Sequence, residues 1–220
     1  NFAPVTGPGS ILVTATSFNT IPYQGYIELV PADGPFLVGV LNGINDAQGN
    51  GNGLADVTET IQLNADAENI GIEVASAVAA TVTCANPFVV IDVANHTYGD
   101  VAAGSTISGP GAFTFHTTPG IADQTPVTFV VTYVDALGNT WTSNMIVVIQ
   151  APKFACSGGM TIIEVNGNGN GRLDSGETIQ LVVPVTNSGH APTPISVTAS
   201  MSTNNPYGNG TKDFNSVVCC

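Results

Sequence analysis

QGNGNGLADVTETIQL (residues 48–63) is repeated as NGNGNGRLDSGETIQL (residues 166–181), 118 positions further along the chain. Self-similarity at a fixed spacing is the signature of a structural unit that occurs more than once. The stretch therefore predicts two copies of one domain type. It also alternates oxygen-bearing side chains with glycines, a composition that suits a hard cation.

The spacing of the oxygen atoms within the repeat matches a calcium loop. Counted from Asn166, ligands fall at positions one, three, five, seven, nine and twelve, with glycine at six, as in an EF-hand-type loop. Most of them are neutral amides, so we expect an affinity suited to extracellular calcium. The predicted ligands are Asn166, Asn168, Asn170, Arg172 (by its backbone carbonyl), Asp174 and Glu177 in the second loop, and Gln48, Asn50, Asn52, Leu54 (by its backbone carbonyl), Asp56 and Glu59 in the first, with Asp46 as an alternative to Gln48.

The residues after each loop predict a strand rather than the helix of an EF-hand, because residues 178–185 alternate and are β-branched. A metal-free cluster of Asn-Gly turns is the alternative interpretation, since Asn-Gly favours turns by itself. We favour the metal because turns alone do not require carboxylates at both position nine and position twelve.

Composition restricts the function classes. The chain has 220 residues and a formal net charge of −13, with Lys153, Arg172 and Lys212 as its only Lys or Arg residues. A phosphate backbone would be repelled, so we expect no nucleic-acid partner. No apolar run reaches about 18 residues, so we expect no membrane span.

Several features are typical of an exported protein. The chain starts at Asn1 without methionine, as a mature form does after removal of a signal peptide. Its four cysteines, Cys84, Cys156, Cys219 and Cys220, lack a metal-type spacing and predict disulfides. We expect Cys219 or Cys220 to pair with Cys156, and the other to pair with Cys84 or with a neighbouring subunit. Two sequons make Asn95 and Asn209 glycosylation candidates.

Almost every periodic segment has a period of two, with turn residues between segments, which favours an all-β sandwich. The predicted strands are 11–15, 26–30, 60–63, 72–74, 81–83, 88–93, 113–115, 127–133 and 145–149.

The repeat extends beyond the loops and predicts tandem immunoglobulin-like β-sandwiches, the second one incomplete. We expect a closing-strand hairpin at 1–35, a complete sandwich at 36–153 and an incomplete sandwich at 154–220. The matches are Pro35-Phe36 with Lys153-Phe154, Asn69-Ile70-Gly71 with Asn187-Ser188-Gly189 and, after one inserted residue, Asn86-Pro87-Phe88 with Asn205-Pro206-Tyr207.

The N-terminal segment has the pattern of the strands that close the complete sandwich. Residues 10–16 and 24–31 form a hairpin-like pair, as residues 127–133 and 142–149 do. Nothing in 154–220 corresponds to 102–152, so we expect residues 1–35 of one copy to complete the second sandwich of another. The expected inward residues are Ile11, Val13, Tyr26 and Leu29.

These motifs resemble the immunoglobulin-like modules that follow the catalytic domain in gingipain-type (family C25) cysteine peptidases, and related modules of secreted Bacteroidetes-type surface proteins. The resemblance rests on VTATSFN at 13–19, IPYQG at 21–25 and the two loops. It implies export from a bacterium, a β-sandwich and calcium-stabilised loops. The peptidase catalytic domain has no counterpart here.

We therefore expect an extracellular structural protein, the subunit of a calcium-stabilised filament or surface fibre that partners copies of itself. The alternative is a carbohydrate-binding or adhesin module that binds glycans. We expect no enzyme, because His96, His116 and His190 are not part of a recognisable nucleophile motif.

Overall fold

Every regular element of the computed structural model is a β-strand. The model describes residues 9–18, 21–29, 33–156, 158–172 and 174–193. The prediction of an all-β protein is confirmed for this part of the chain, which contains no helix that could cross a membrane. The strands are β1 (Gly9–Ala15), β2 (Tyr23–Leu29), β3 (Leu37–Asn45), β4 (Ala55–Asp56), β5 (Thr60–Asn69), β6 (Ala75–Cys84), β7 (Val89–Val93), β8 (Asn95–Val101), β9 (Thr106–Ile107), β10 (Phe113–Thr117), β11 (Thr125–Val134), β12 (Thr140–Gln150), β13 (Phe154–Cys156), β14 (Thr161–Asn166), β15 (Thr178–Val182) and β16 (Val185–Asn187).

The described residues divide into two units. The first contains those up to 121 together with 125–149, and the second contains 122–124 and those from 150 onwards. In the first unit, one sheet has the order β3-β5-β10-β7 with β9 beside β5, and the other has the order β4-β12-β11-β6-β8. Both sheets contribute to one hydrophobic core.

The alternation of buried and exposed side chains along each strand shows where the core of the first unit lies, because successive side chains of a strand point to opposite faces. On β5, Ile61 and Leu63 are buried while Gln62 between them is partly exposed. On β11, the buried side chains are Val127, Phe129, Val131 and Tyr133. The period-two pattern in the sequence therefore marks the inward row of each sheet.

Asn69 holds the start of the first unit in place. Its side chain is fully buried, and Oδ1 accepts hydrogen bonds from the backbone N–H of Phe36 and of Gly71, both at 3.0 Å. Nδ2 donates to the carbonyls of Glu73 and Val101 at 2.8 and 2.9 Å. One carboxamide thus satisfies four backbone groups.

The strand predicted at 72–74 is wrong. The chain bends there, with Ile72 and Val74 exposed. Because the N–H of Gly71 bonds to Asn69 and that of Ile72 bonds to the carbonyl of Gly34, this segment has no ladder partner to extend as a strand.

In the second unit, the strands are shorter and the matching side chains are less buried. β13 pairs with β16 and β14 with β15, each as a two-stranded sheet. Pro184, which lacks an N–H donor, lies between β15 and β16, where the continuous β5 runs in the first unit. Ile61 and Leu63 are 1% and 0% exposed, but their counterparts Ile179 and Leu181 are only half-buried.

The strand register corrects one detail of the repeat. Phe154 lies opposite Asn187 as Leu37 lies opposite Asn69. Phe154 is therefore the structural counterpart of Leu37 rather than of Phe36. The difference is local, because Ile162 opposite Leu181 again matches Ile44 opposite Leu63 at the spacing of 118.

The N-terminal hairpin repeats the closing hairpin pair by pair. β1 and β2 form seven pairs, and each pair, shifted by 118, is also a pair between β11 and β12. For example, Ile11 opposite Ile27 corresponds to Phe129 opposite Met145. The two hairpins therefore share one register, with the same number of residues between matching pairs.

The hairpin faces differ in part from the prediction. Ile11 and Val13 share one face, as expected, and they are 38% and 40% exposed. Tyr26 lies opposite Leu12 on the other face, so its assignment as an inward residue is wrong; a strand reverses faces at every residue. The side chain of Leu29 lies outside the described part.

The described cysteines are both free. Cys84 is half-buried and Cys156 is exposed, and no disulfide joins them. Their predicted partners Cys219 and Cys220 lie outside the described residues. Of the glycosylation candidates, Asn95 is exposed at the start of β8, and Asn209 lies outside the described part.

Candidate metal centre

The first predicted loop lies between β3 and β5, and three of its acids are partly or fully buried. Asp46 and Asp56 are 6% and 2% exposed, and Glu59 is half-buried. As predicted, a strand rather than a helix follows, because β5 begins at Thr60. Gly53, the glycine at position six, has a φ of 81°, which a residue without a Cβ adopts at little cost.

Loop donors hold one oxygen of each carboxylate. The N–H of Gly53 donates to Asp46 Oδ2 at 3.0 Å, and the N–H of Asn50 donates to Glu59 Oε1 at 2.9 Å. The carboxamide nitrogens of Asn50 and Asn52 donate to Asp56 Oδ2 at 2.7 and 2.9 Å. Five of the predicted side chains therefore lie in one network.

Two carboxylate oxygens in this network have no partner. Asp56 Oδ1 and Glu59 Oε2 are both buried without a hydrogen-bond donor. Burial, together with the neighbouring charges of Asp56 and Asp46, raises the pKa of Glu59 despite the hydrogen bond from Asn50. An unpaired buried acceptor is costly, and a bound cation is one of the groups that can satisfy it. The residues present therefore fit a cation.

Asn50 and Asn52 both contact Asp56, and they present nitrogen to it. Their oxygens instead accept backbone N–H groups two residues on, from Asn52 to Asn50 and from Leu54 to Asn52. A half-turn of a carboxamide exchanges its nitrogen and oxygen, so the same side chains can supply oxygen ligands.

The second loop repeats this network, and it includes Glu164, an acid that was not among the predicted ligands. Glu164 accepts hydrogen bonds from the N–H groups of Gly169 and Gly171, each at 2.6 Å. Glu177 accepts from the N–H of Asn168 and of Asp174, both at 2.9 Å. Asn168 and Asn170 donate from their carboxamides to Asp174 at 3.0 and 2.7 Å, and these bonds lower the pKa of Asp174.

Glu164 is the residue that sequence reasoning missed. It lies 118 positions after Asp46, and both acids accept the N–H of the glycine at position six. The repeat spacing could have identified it, but counting from Asn166 placed it outside the loop. Neither the Gln48 nor the Asn166 side chain takes part in these hydrogen bonds, so Asp46 and Glu164 take the first acidic position.

Glycine lies where each loop passes close to its last carboxylate. A Cβ on Gly49 would lie 2.6 Å from Glu59 Oε2, and one on Gly167 would lie 2.8 Å from Glu177 Oε1. The backbone can approach these carboxylates closely only without a side chain.

Carboxylates alone do not form the site. No three Asp, Glu, His or Cys side chains of the described ranges come together in a way that could hold a metal ion. A cation in either loop would therefore depend on amide and carbonyl oxygens as well, as calcium sites commonly do.

Two of the three histidines pair with aspartates. His116 Nδ1 lies 2.9 Å from Asp92, and His190 Nδ1 lies 2.8 Å from Asp123. Hydrogen bonds from the backbone of Ala151 and from His190 lower the pKa of Asp123 to about 2. His96 packs edge-on against Tyr98 instead.

The first unit also contains a groove of about 980 Å³. Phe36 and Trp141 contribute aromatic surface, and Asp33 and Glu73 contribute carboxylates. The lining is therefore mixed, with aromatic, acidic and hydroxyl-bearing side chains.

No protein-family model matches the chain, and no curated protein matches it. The resemblance to the modules of gingipain-type peptidases therefore rests on the quoted motifs. The class that the structure defines is an all-β protein in which two five-stranded sheets share one core.

Proposed function

We propose that this protein is an extracellular structural protein, the subunit of a calcium-stabilised filament or surface fibre. In this proposal, subunits join head to tail, and the N-terminal hairpin of one copy completes the second immunoglobulin-like sandwich of the next. The observation that carries the proposal is the hairpin itself. It repeats the closing hairpin pair for pair, yet its apolar face is exposed.

The first unit supplies the template for the joint. There β11 and β12 cover the core with Phe129 and Met145, both almost fully buried. The corresponding residues of the N-terminal hairpin are Ile11 and Ile27, which are 38% and 56% exposed. Full burial of one such aliphatic side chain contributes about 1.5–3 kcal/mol, so a row of them can drive association.

The second unit supplies the acceptor. Its described core positions Ile179 and Leu181 are half-buried, and Ile162 and Val182 are 37% and 43% exposed. Exposed strand edges and apolar faces favour pairing with another chain. A joint between two different surfaces is heterologous, and it produces a filament when its rotation does not close a ring.

Calcium enters the proposal through the loops. The second loop joins β14 to β15, the strands that carry Ile162 and Ile179. A cation bound to Asp174, Glu177 and Glu164 would fix this turn and with it the acceptor face. The resemblance to secreted immunoglobulin-like modules also agrees with an extracellular protein.

Removal of residues 1–30 is expected to abolish ordered fibres, because it removes the donor hairpin and leaves both loops. We expect fibres of the full chain by negative-stain microscopy in calcium, none from the truncated protein, and inhibition of growth by a peptide of residues 1–35. A peptide with Ile11→Asp and Ile27→Asp is the matched control and is expected not to inhibit.

Any of three outcomes would contradict the assembly model. They are formation of the same fibres by the truncated protein, a full chain that remains monomeric at all concentrations, and a hairpin that is folded onto its own second unit. A monodisperse monomer that binds glycans would favour the carbohydrate-binding or adhesin alternative, for which the groove at Trp141 is the supporting observation.

Disulfides are expected in the native protein, because an even cysteine count in an exported chain predicts them. Titration of thiols in denaturant without reductant is expected to find fewer than four free thiols. Four free thiols would contradict both the disulfides and the extracellular compartment.

A further inference from the structure

A close contact in the first unit fixes the side-chain sizes across its core. Gly39, on β3, lies beneath Tyr133 and Met145. A Cβ at Gly39 would overlap the Tyr133 hydroxyl and would lie 2.9 Å from Met145 Cε. Tyr133 is fully buried here, with its hydroxyl 3.4 Å from the carbonyl oxygen of Asp66. The closing hairpin therefore fits only a strand that has no side chain at this point.

The second unit has a side chain at the matching position. Gly39 lies opposite Ala67, and Cys156 lies opposite Val185, which is Ala67 shifted by 118. Cys156 is thus the structural counterpart of Gly39, and its side chain is exposed. A Tyr above it, as at position 133, would be overpacked.

At the matching position of the N-terminal hairpin, the side chain is smaller than in the closing hairpin of the first unit. Ala15 opposite Tyr23 corresponds to Tyr133 opposite Trp141, and Ile27 corresponds to Met145. Ala15 is smaller than Tyr by a whole phenol ring. In the first unit the larger member of the pair is on the closing strand, as Tyr133, whereas in the proposed joint it is on the covered strand, as Cys156.

We infer that Ala15 and Ile27 of one copy pack against Cys156 of the next copy, and that this exchange of sizes makes the hairpin specific for the second sandwich. The inference rests on the proposed function and names the contact within its joint. It assigns Cys156 a packing role as a reduced thiol, in place of the disulfide predicted from the sequence.

The same difference in side-chain size disfavours a joint between the N-terminal hairpin and the first unit of another copy. If the N-terminal hairpin of a second copy displaced β11 and β12 from the first unit, Ala15 would lie above Gly39 and leave a cavity where Tyr133 had been. A cavity of that size is costly. Specificity thus comes from a misfit with the wrong acceptor as well as from a fit with the right one.

The test uses the full-length variants A15Y, C156G and A15Y/C156G. Elongation of preformed fibres in calcium is followed by light scattering. A15Y is expected to slow elongation by about tenfold or more, since overpacking of a core commonly costs enough for a factor of ten. C156G alone is expected to slow elongation as well, because Ala15 above a glycine leaves a cavity. The double variant is expected to recover to within about threefold of the original rate, because it recreates the Tyr133–Gly39 arrangement.

The melting temperature of the A15Y monomer is the control for folding. We expect it to equal that of the original protein, because Ala15 is exposed in the monomer. A second measurement uses N-ethylmaleimide, with labelled peptides quantified by mass spectrometry. Cys156 is expected to react at least about tenfold more slowly in fibres than in monomers. Peptides without cysteine serve as the internal reference, because the disulfide predicted for Cys84 would remove its thiol.

The outcomes separate this inference from the proposed function. If the original protein forms fibres and A15Y elongates at the same rate, or if C156G does not rescue A15Y, the contact is wrong while the filament stands. Equal labelling of Cys156 in fibres and monomers would also overturn it. If the original protein forms no fibres, the proposed function and this contact both fail.

Discussion

Replacing Asn69 with alanine is expected to destabilise the first unit by at least about 3 kcal/mol, because each buried polar group left without a partner costs about 1–3 kcal/mol. The substitution removes the partners of four backbone groups, those of Phe36, Gly71, Glu73 and Val101. Losses of this size are unusual for a single substitution and indicate a buried network. Urea unfolding followed by Trp141 fluorescence measures it, since Trp141 is the only tryptophan and belongs to the first unit.

Asn187→Ala is the matched control for this prediction. Asn187 holds three backbone groups in the second unit, those of Lys153, Gly189 and Ala191, and it is half-buried. We expect this substitution to leave the Trp141 midpoint almost unchanged. A loss below about 1 kcal/mol for Asn69→Ala, the value of one ordinary hydrogen bond, would contradict the role of the buried network.

Withdrawal of calcium is expected to lower the melting temperature of the full chain, because a ligand that binds only the folded state stabilises it. At one hundred times the dissociation constant this stabilisation is about 2.7 kcal/mol per site. We expect half-saturation at millimolar or slightly lower calcium, on the order of 10⁻⁴–10⁻³ M, the range of extracellular modules. Thermal melting in calcium and in chelator is the measurement, with magnesium as the control ion.

Single substitutions assign the calcium ligands. Glu59→Gln is expected to remove most of the stabilisation at the first loop, because its unpaired Oε2 would no longer carry charge. Glu177→Gln and Glu164→Gln are expected to weaken the second loop to a similar degree. Asn166→Ala is the matched control and is expected to have a smaller effect. Identical melting curves in calcium and chelator would refute both metal sites, and a larger effect of Asn166→Ala than of Glu164→Gln would refute the role of Glu164.

Alternation in the sequence was sufficient to locate most of the strands of the first unit. The sequence predicts the β11 strand correctly because burial on one face of a strand imposes a local period of two, as in Val127, Phe129, Val131 and Tyr133. The predicted strands did not include β3 or β8. On β3 only Leu37 is buried, and on β8 the buried residues Tyr98 and Val101 lie three residues apart. Ile72 and Val74 were misread for the opposite reason: their alternation is real, but the chain turns at Asn69.

The sequence alone also determined the loops and their repeat. Glycines, asparagines and acids at set spacings specify a turn chemistry that is local to about a dozen residues. It likewise indicated that the N-terminal segment resembles the closing hairpin, since both segments alternate and precede the same kind of unit. The shared register of Ile11 with Ile27 and of Phe129 with Met145 then followed from the equal number of residues between the matching pairs.

Only the tertiary structure decided which groups meet across long stretches of chain. Asp123 and His190 are 67 positions apart, and no local pattern records their pairing. Glu164 joins its loop from β14, outside the spacing of a twelve-residue motif. The size of a core position likewise depends on the strand that packs above it, so Gly39 beneath Tyr133 can be understood only when both strands are in place.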